Sequence, residues 1–232
     1  MDQGARGRRN GPWPAYNPAV ATPGSDLLDR LIGELDTALR VVAGPARGAT
    51  PNPAEGLPEP ELSTGERRQS AALMRVNHAG EIAAQALYRG QAAVARDPVQ
   101  RDALLQAGQE EYEHLAWCET RIRQLGGRTS LLAPAWYAGS FVIGALAGMA
   151  GDRISLGFLA ETERQVSDHL GSHLQRLPPA DTPSRQIVAA MQDEEIAHGE
   201  EARARGGAEL PAPVRSLMRA SARVMTTLAQ RI

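Results

Sequence analysis

The sequence predicts an all-α protein whose core is a four-helix bundle, and three observations carry that prediction. No stretch alternates apolar and polar residues with the period of two that a half-buried strand needs. Aromatic residues make up only 4% of the chain while Ala is abundant, a composition that favours closely packed helices over sheets. From Ser63 onward, helix breakers recur at regular spacing: Asp97-Pro98, Gly126-Gly127, Pro178-Pro179 and Gly206-Gly207.

The elements follow from that punctuation. Residues 1–24 are rich in Gly, Pro and Arg and read as a disordered tail. "SDLLDRLIGELDTALRVVAG", residues 25–44, reads as an amphipathic helix with Ser25 as N-cap and Gly44 as stop. Residues 45–62 are a Pro-rich linker. The main body, residues 63–232, opens with a capping box from Ser63 to Glu66. Its four bundle helices are expected over 64–96, 99–125, 152–177 and from Thr182-Pro183 to Gly206, with Thr182 as the last helix's N-cap.

Composition removes several classes of function. With 25 basic residues, all Arg, against 27 acidic ones, the net charge of −2 leaves no basic excess to hold nucleic-acid phosphates. Cys118 is the only cysteine, so an internal disulfide is impossible and a thiolate metal site is disfavoured. The N-terminus carries positive charge with no apolar core behind it, so no secretory signal is read there and the protein is expected to remain in the cytoplasm.

Two segments point towards a lipid surface. Residues 129–151, "TSLLAPAWYAGSFVIGALAGMAG", contain no charge at all. Spanning a bilayer, dipping into its interface and plain packing as a bundle crossover all remain open for it, since Gly, Ala and Pro134 dilute its hydrophobicity. In residues 211–232, Val214, Leu217, Met218, Ser221, Met225, Leu228 and Ile232 fall on one stripe, and Arg215, Arg219 and Arg223 line another face. That pattern suits an interfacial helix and equally a helix capping the bundle.

The chemistry lies in a constellation of carboxylates and imidazoles. "EEYEHLAW" on the second bundle helix and "DEEIAHGEE" on the fourth each contain Glu-x-x-His, Glu111 with His114 and Glu195 with His198. Positions three apart share a helix face, so each pair can offer two donors to one ion. A single such pair is commonplace on a solvated helix; a second on the matching helix is not. On the first helix Glu81 shares the inward face with Met74, Ala84 and Tyr88. On the third, Glu163 lies in line with Leu156, Leu159, Val166 and Leu170, whereas Glu161 falls beside Arg164, Gln165 and Asp168, a face that reads as solvent. Glu111 joins the stripe of Leu104, Leu115, Cys118 and Ile122, with Glu110 beside it. Periodicity leaves Glu194 and Glu195 close rivals, and analogy with Glu111/His114 favours Glu195.

Each half of the main body therefore runs Glu, then about 30 residues later Glu-x-x-His. One Glu from each of two helices and Glu-x-x-His from the other two is the arrangement of ferritin-like di-iron and di-manganese carboxylate proteins. Carboxylate and imidazole suit Fe(II), Mn(II) or Zn(II), and four buried carboxylates without a cation would be very costly. Of the other histidines, His78 and His169 could orient ligands, while His173 reads equally as a satisfied residue at the bundle edge.

"LMRVNHAGEIAAQALYRGQ", "EEYEHLAWCETRI", "APAWYAGSFVIGALAG", "ETERQVSDHLGSHL" and "DEEIAHG" resemble the demethoxyubiquinone hydroxylases, ferritin-like di-iron monooxygenases, over residues 63–232. The resemblance implies O₂-dependent hydroxylation of a polyprenyl methoxy-benzoquinol ring in ubiquinone biosynthesis. It implies two iron ions held by Glu81, Glu111, His114, Glu163, Glu195 and His198, and an external reductant. The partners it implies are the quinol substrate, the membrane surface, other ubiquinone-biosynthesis proteins and a second copy of the chain, with no nucleic acid. The expected location is the cytoplasmic face of a bacterial inner membrane, with residues 129–151 and 211–232 in contact with lipid. An iron-storage or ferroxidase protein would share the six ligands and a manganese catalase would have similar ones, but neither needs an apolar platform. A structural membrane adaptor with coincidental acidic residues is the reading without chemistry.

Overall fold

A computed structural model of the chain describes residues 26–44, 46 and 48–232. The reading of residues 1–24 as a tail, and of Ser25 as an N-cap, falls outside those residues. Seven helices and no strand occur among the described residues: α1 (Asp26–Ala43), α2 (Thr64–Val94), α3 (Pro98–Gln124), α4 (Ala133–Met149), α5 (Asp152–Arg176), α6 (Thr182–Ala204) and α7 (Ala212–Ala229). The described residues divide into two units, 26–37 and 38–232. In the described part of the first, Ile32 and Leu35 are exposed on α1 and Thr37 Oγ1 donates to the carbonyl of Gly33.

In the second unit α2, α3, α5 and α6 form the expected bundle. Short turns join α2 to α3 and α5 to α6, so each pair packs as an antiparallel hairpin. The caps explain where the helices begin. Ser63 and Glu66 close a reciprocal capping box on α2, and Asp97 accepts the Val99 amide at the start of α3. Asp181, not Thr182, caps α6 by accepting the amide of Ser184. Sequence spacing alone cannot choose between two adjacent cap-forming residues, and here the buried Arg121 decides. Its guanidinium donates to Asp181 Oδ1 at 2.8 Å and fixes that carboxylate in place.

Arg121 is fully buried, and Glu59 reaches it at 2.6 Å from the Pro-rich segment. Among its described residues that segment has no helix, as its prolines dictate, yet it is pinned along α3. The Ala46 amide donates to Glu119, and Thr50 donates from both its amide and its hydroxyl to Glu113. Ala54 and Leu62 pack onto the core beneath.

The uncharged crossover folds as α4, seated on the outer side of α2 and running in the same direction. A Cβ on Gly144 would come within 2.1 Å of the Leu87 carbonyl oxygen, and one on Gly90 within 2.1 Å of the Phe141 carbonyl oxygen. Further along, one on Gly148 would meet the Gln91 carbonyl at 3.0 Å. Small residues thus let the two backbones approach, as in tightly packed helix pairs generally. By running back beside α2, α4 delivers the chain to the end of the bundle where α5 starts. No helix among the described residues is long and apolar enough to cross a membrane, which removes the spanning alternative for residues 129–151. The outer side of α4 nonetheless exposes Val142, Ile143, Leu146 and Met149.

On α7 the expected single stripe splits in two. Met218, Ala222, Met225 and Ala229 are at least half-buried, with Ala229 fully buried against Val76 and Ala79. Leu217, Val224 and Leu228 stay exposed beside them. Spacing places both sets on one broad apolar side, and only packing separates them.

The seam between α2 and α4 gives a direct test. Gly144→Ala should lower unfolding stability by roughly 1–3 kcal/mol through overpacking against Leu87. Gly139→Ala on the same helix, where an added Cβ meets nothing within 4 Å, should raise it by up to about 1 kcal/mol. Denaturant unfolding of the two variants checks both signs.

Candidate metal centre

Two apolar layers sandwich a polar one at mid-bundle. On one side lie Leu73, Met74, Trp117, Cys118, Ile122, Leu170, Ile187 and Met191. On the other lie Ala84, Tyr88, Leu104, Leu159, Ala160 and Ala202. Between them α2 contributes Glu81, α3 Glu111 and His114, α5 Glu163, and α6 Glu195 and His198. All four carboxylates are 2% exposed or less, and His114 is fully buried.

These six residues form two overlapping quartets, Glu81/Glu111/His114/Glu195 and Glu111/Glu163/Glu195/His198. Within each quartet, one ligand atom per residue lies within 4.8 Å of every other. Glu111 and Glu195 belong to both, so their carboxylates face two adjacent positions. His114 Nδ1 lies 3.2 Å from Glu111, 3.3 Å from Glu195 and 3.7 Å from Glu81. His198 Nδ1 lies 3.8 Å from both Glu111 and Glu195. The two Glu-x-x-His pairs therefore face each other across the centre in a nearly two-fold arrangement.

Burial and close packing set the charges of this layer against one another. Burial, reinforced by neighbouring carboxylates, holds Glu81 and Glu163 well above the usual carboxylate range. Burial would raise Glu195 too, but the close approach of His114, His198 and Glu163 outweighs it and pulls the group down to about 2. Burial opposes protonation of His114, yet Glu111, Glu194, Glu195 and Glu81 together lift it well above its ordinary value. For His198, Glu110 and Glu195 overcome burial and raise it to about 10. Even so, Glu111 Oε1, both oxygens of Glu163, both of Glu195 and His198 Nδ1 are buried without a hydrogen-bond partner. Each such orphan costs about 1–3 kcal/mol, and more when charged.

Bound cations would relieve these buried charges. Four ionised carboxylates and two neutral imidazoles would balance two divalent ions, and four of the six residues, Glu111, Glu163, Glu195 and His198, carry orphaned buried atoms. The donor set, oxygen with imidazole nitrogen and no thiolate, suits Fe(II), Mn(II) or Zn(II). The residues present fit a dinuclear metal group.

The structure adds two residues that sequence reasoning left unassigned. His114 Nε2 lies 2.8 Å from Glu194 on α6, and His198 Nε2 lies 2.7 Å from Glu110 on α3. Each helix thus supplies a Glu to the centre and, from the preceding position, a carboxylate that holds the other helix's histidine. Such a carboxylate fixes the tautomer and keeps Nδ1 free to ligate. The repeated Glu-Glu-x-x-His was the visible signal; only the bundle geometry shows that the first Glu works across to the opposite helix.

Glu161 is a correction. Its face reads as solvent, but the residue is buried, held by Arg164 at 2.7 Å and by Gln165, with Arg219 of α7 at 3.9 Å. The cover that α7 provides is a tertiary contact, invisible to periodicity. His78, His169 and His173 make no hydrogen bond or ion pair with the six residues among the described ones. His78 is pushed down to about 4 by burial and the charge of Arg123. The rings of His169 and His173 meet at a tilt of 58°, centroids 4.1 Å apart.

Fold and site together define a ferritin-like helical bundle with a buried carboxylate–histidine centre able to hold metal. The model of the family described as ubiquinone biosynthesis protein COQ7 matches residues 68–229, and the chain belongs to that family. It is 56% identical to the 3-demethoxyubiquinol 3-hydroxylase of Ralstonia pickettii, over 89% of this chain and all of that protein. It is 58% identical to the protein of the same name from Cupriavidus necator, over 88% of this chain and all of the relative. The like-named protein of Chromobacterium violaceum is 55% identical over 89% of this chain and its own full length.

The orienting role of the two outer carboxylates is open to measurement. Glu110→Gln and Glu194→Gln should each weaken metal retention about 10–100-fold in competition with a chelator. A change of that size should be absent in Glu113→Gln, whose carboxylate serves the 48–50 loop instead.

Proposed function

We propose that the chain is a di-iron monooxygenase that hydroxylates the benzoquinol ring of demethoxyubiquinol with O₂. The observation that carries this reading is the pair of overlapping quartets sharing Glu111 and Glu195. Membership of the family and the printed names of its relatives supply the substrate class.

When bound, two ferrous ions supply the electrons and the coordination sites that O₂ needs, chemistry no side chain here can provide. The ligands would be Glu81, Glu111, His114, Glu163, Glu195 and His198. Glu111 and Glu195, common to both quartets, would serve both positions, and Glu81 and Glu163 would each serve one. Glu194 and Glu110 hold the Nε2 protons of the two histidines, so that each Nδ1 lone pair stays aimed inward. The apolar layers on either side exclude bulk water, which protects a reactive oxidant from side reactions. Hydroxylation places one oxygen atom on the ring and releases the other as water, so two electrons must come from an external reductant.

The substrate's isoprenoid tail belongs in a bilayer, and the protein presents matching surfaces. Exposed apolar residues on the outer sides of α4 and α7, with Arg215, Arg219 and Arg223 on the latter, support peripheral attachment to the cytoplasmic face of the inner membrane.

Iron-loaded protein supplied with a short-tailed demethoxyubiquinol, a reductant and ¹⁸O₂ should yield a ring product carrying one ¹⁸O atom by mass spectrometry. Glu195→Ala, which removes a donor from both quartets, should reduce that product at least about 100-fold, beyond the effect of an outer-shell change. Oxygen uptake that converts Fe(II) to Fe(III) with no hydroxylated ring would instead indicate a ferroxidase.

A further inference from the structure

Where α2 begins and α3 ends, Arg68, Arg75 and Arg128 line a shallow concavity of about 380 Å³, backed by Ala71 and the Gly126-Gly127 turn. The surrounding arginines are all engaged. Arg67 lies within 3.9 Å of Glu59, Arg121 binds Glu59 and Asp181, and Arg123 pairs with Glu119. The acidic groups at this end are thereby committed, and among the described residues none reaches the three arginines of the concavity. The Nε of half-buried Arg75 is buried and has no hydrogen-bond acceptor. Burial and the charge of Arg128 both disfavour the protonated form of Arg75. The carbonyls at the end of α3, which would repel an anion, are occupied: Ile122 and Arg123 accept from Gly127 and Gly126, and Gln124 accepts from Arg67.

Three unpaired guanidiniums around one hollow repel each other unless an anion sits among them. Guanidinium forks match the oxygens of phosphate in pairs, which suits this group better than a single carboxylate. We propose that Arg68, Arg75 and Arg128 form a phosphate-binding site that takes the headgroup of an anionic phospholipid. Its surroundings argue for a lipid over a free ion. Leu131, three residues beyond Arg128, is 65% exposed and leads into α4 with its apolar outer side. On α2, the residue after Arg75 is Val76, against which Ala229 at the end of amphipathic α7 is seated. The chain thus passes from the hollow into α4, and the end of α7 is seated one residue along α2 from Arg75. This inference deepens the surface attachment proposed above and rests on it.

Co-sedimentation of the full chain with vesicles of phosphatidylcholine alone, and of phosphatidylcholine doped with phosphatidylglycerol, separates the two ideas. Arg75→Gln/Arg128→Gln should lose on the order of 30-fold in affinity for the doped vesicles, at about 1 kcal/mol per charge. Its binding to neutral vesicles should not change. Arg68→Gln/Arg128→Gln, at two exposed positions, guards against a folding defect. Arg96→Gln/Arg101→Gln, at the α2–α3 turn, controls for net charge. Displacement of the wild type from doped vesicles by inorganic phosphate should follow. An equal loss in the control pair, or no loss in either hollow variant, overturns the site. Calorimetric binding of inorganic phosphate without preference for doped vesicles overturns the headgroup and assigns the hollow to free phosphate. Absence of wild-type binding to any vesicle overturns the attachment itself, and the headgroup with it.

Discussion

Four carboxylates buried at one level of a helical bundle are the constraint on which the rest of this structure depends. Each alone would cost several kcal/mol to bring out of water in ionised form, and together they repel. The chain meets that cost by spreading them over four helices around two positions rather than one. Two imidazoles share those positions, and two further carboxylates outside the centre hold the imidazoles in place. Burying large apolar residues, at about 1.5–3 kcal/mol each, in layers on both sides supplies stability that the polar layer does not.

That constraint also orders the topology. The centre needs two Glu-x-x-His helices facing one another, so the second half of the bundle must enter from the same end as α3. A direct turn after α3 would place α5 in the opposite direction. The crossover through α4 solves this: Tyr137 is buried and glycines face α2 further along, which leaves Val142, Ile143, Leu146 and Met149 outside. An element required for connectivity thereby becomes an apolar surface, which an enzyme acting on a lipid-tailed quinol can use.

Much of this was legible in the residues. Helical periodicity placed Glu81, Glu111 and Glu163 on inward faces, and the structure brings these three together with His114, Glu195 and His198. The choice of Glu195 over Glu194 was hard because both are used: one faces the centre and the other holds His114 from outside it. What stayed hidden depends on contacts between distant segments. Glu161 reads as solvent-facing until α7 is laid over it. The Pro-rich segment reads as a free linker until Arg121, itself buried, draws Glu59 against the bundle. Local propensity sees neither, since both are decided by which helix lies opposite.

Anaerobic titration of ferrous iron into chelator-stripped protein, with bound metal counted per chain, bears most directly on the layer at mid-bundle. Two ions per chain in the wild type, falling to one or none in Glu195→Ala, is the expected result. A wild type that saturates at a single ion, or a Glu195→Ala variant that still holds two, would contradict a centre built around shared carboxylates.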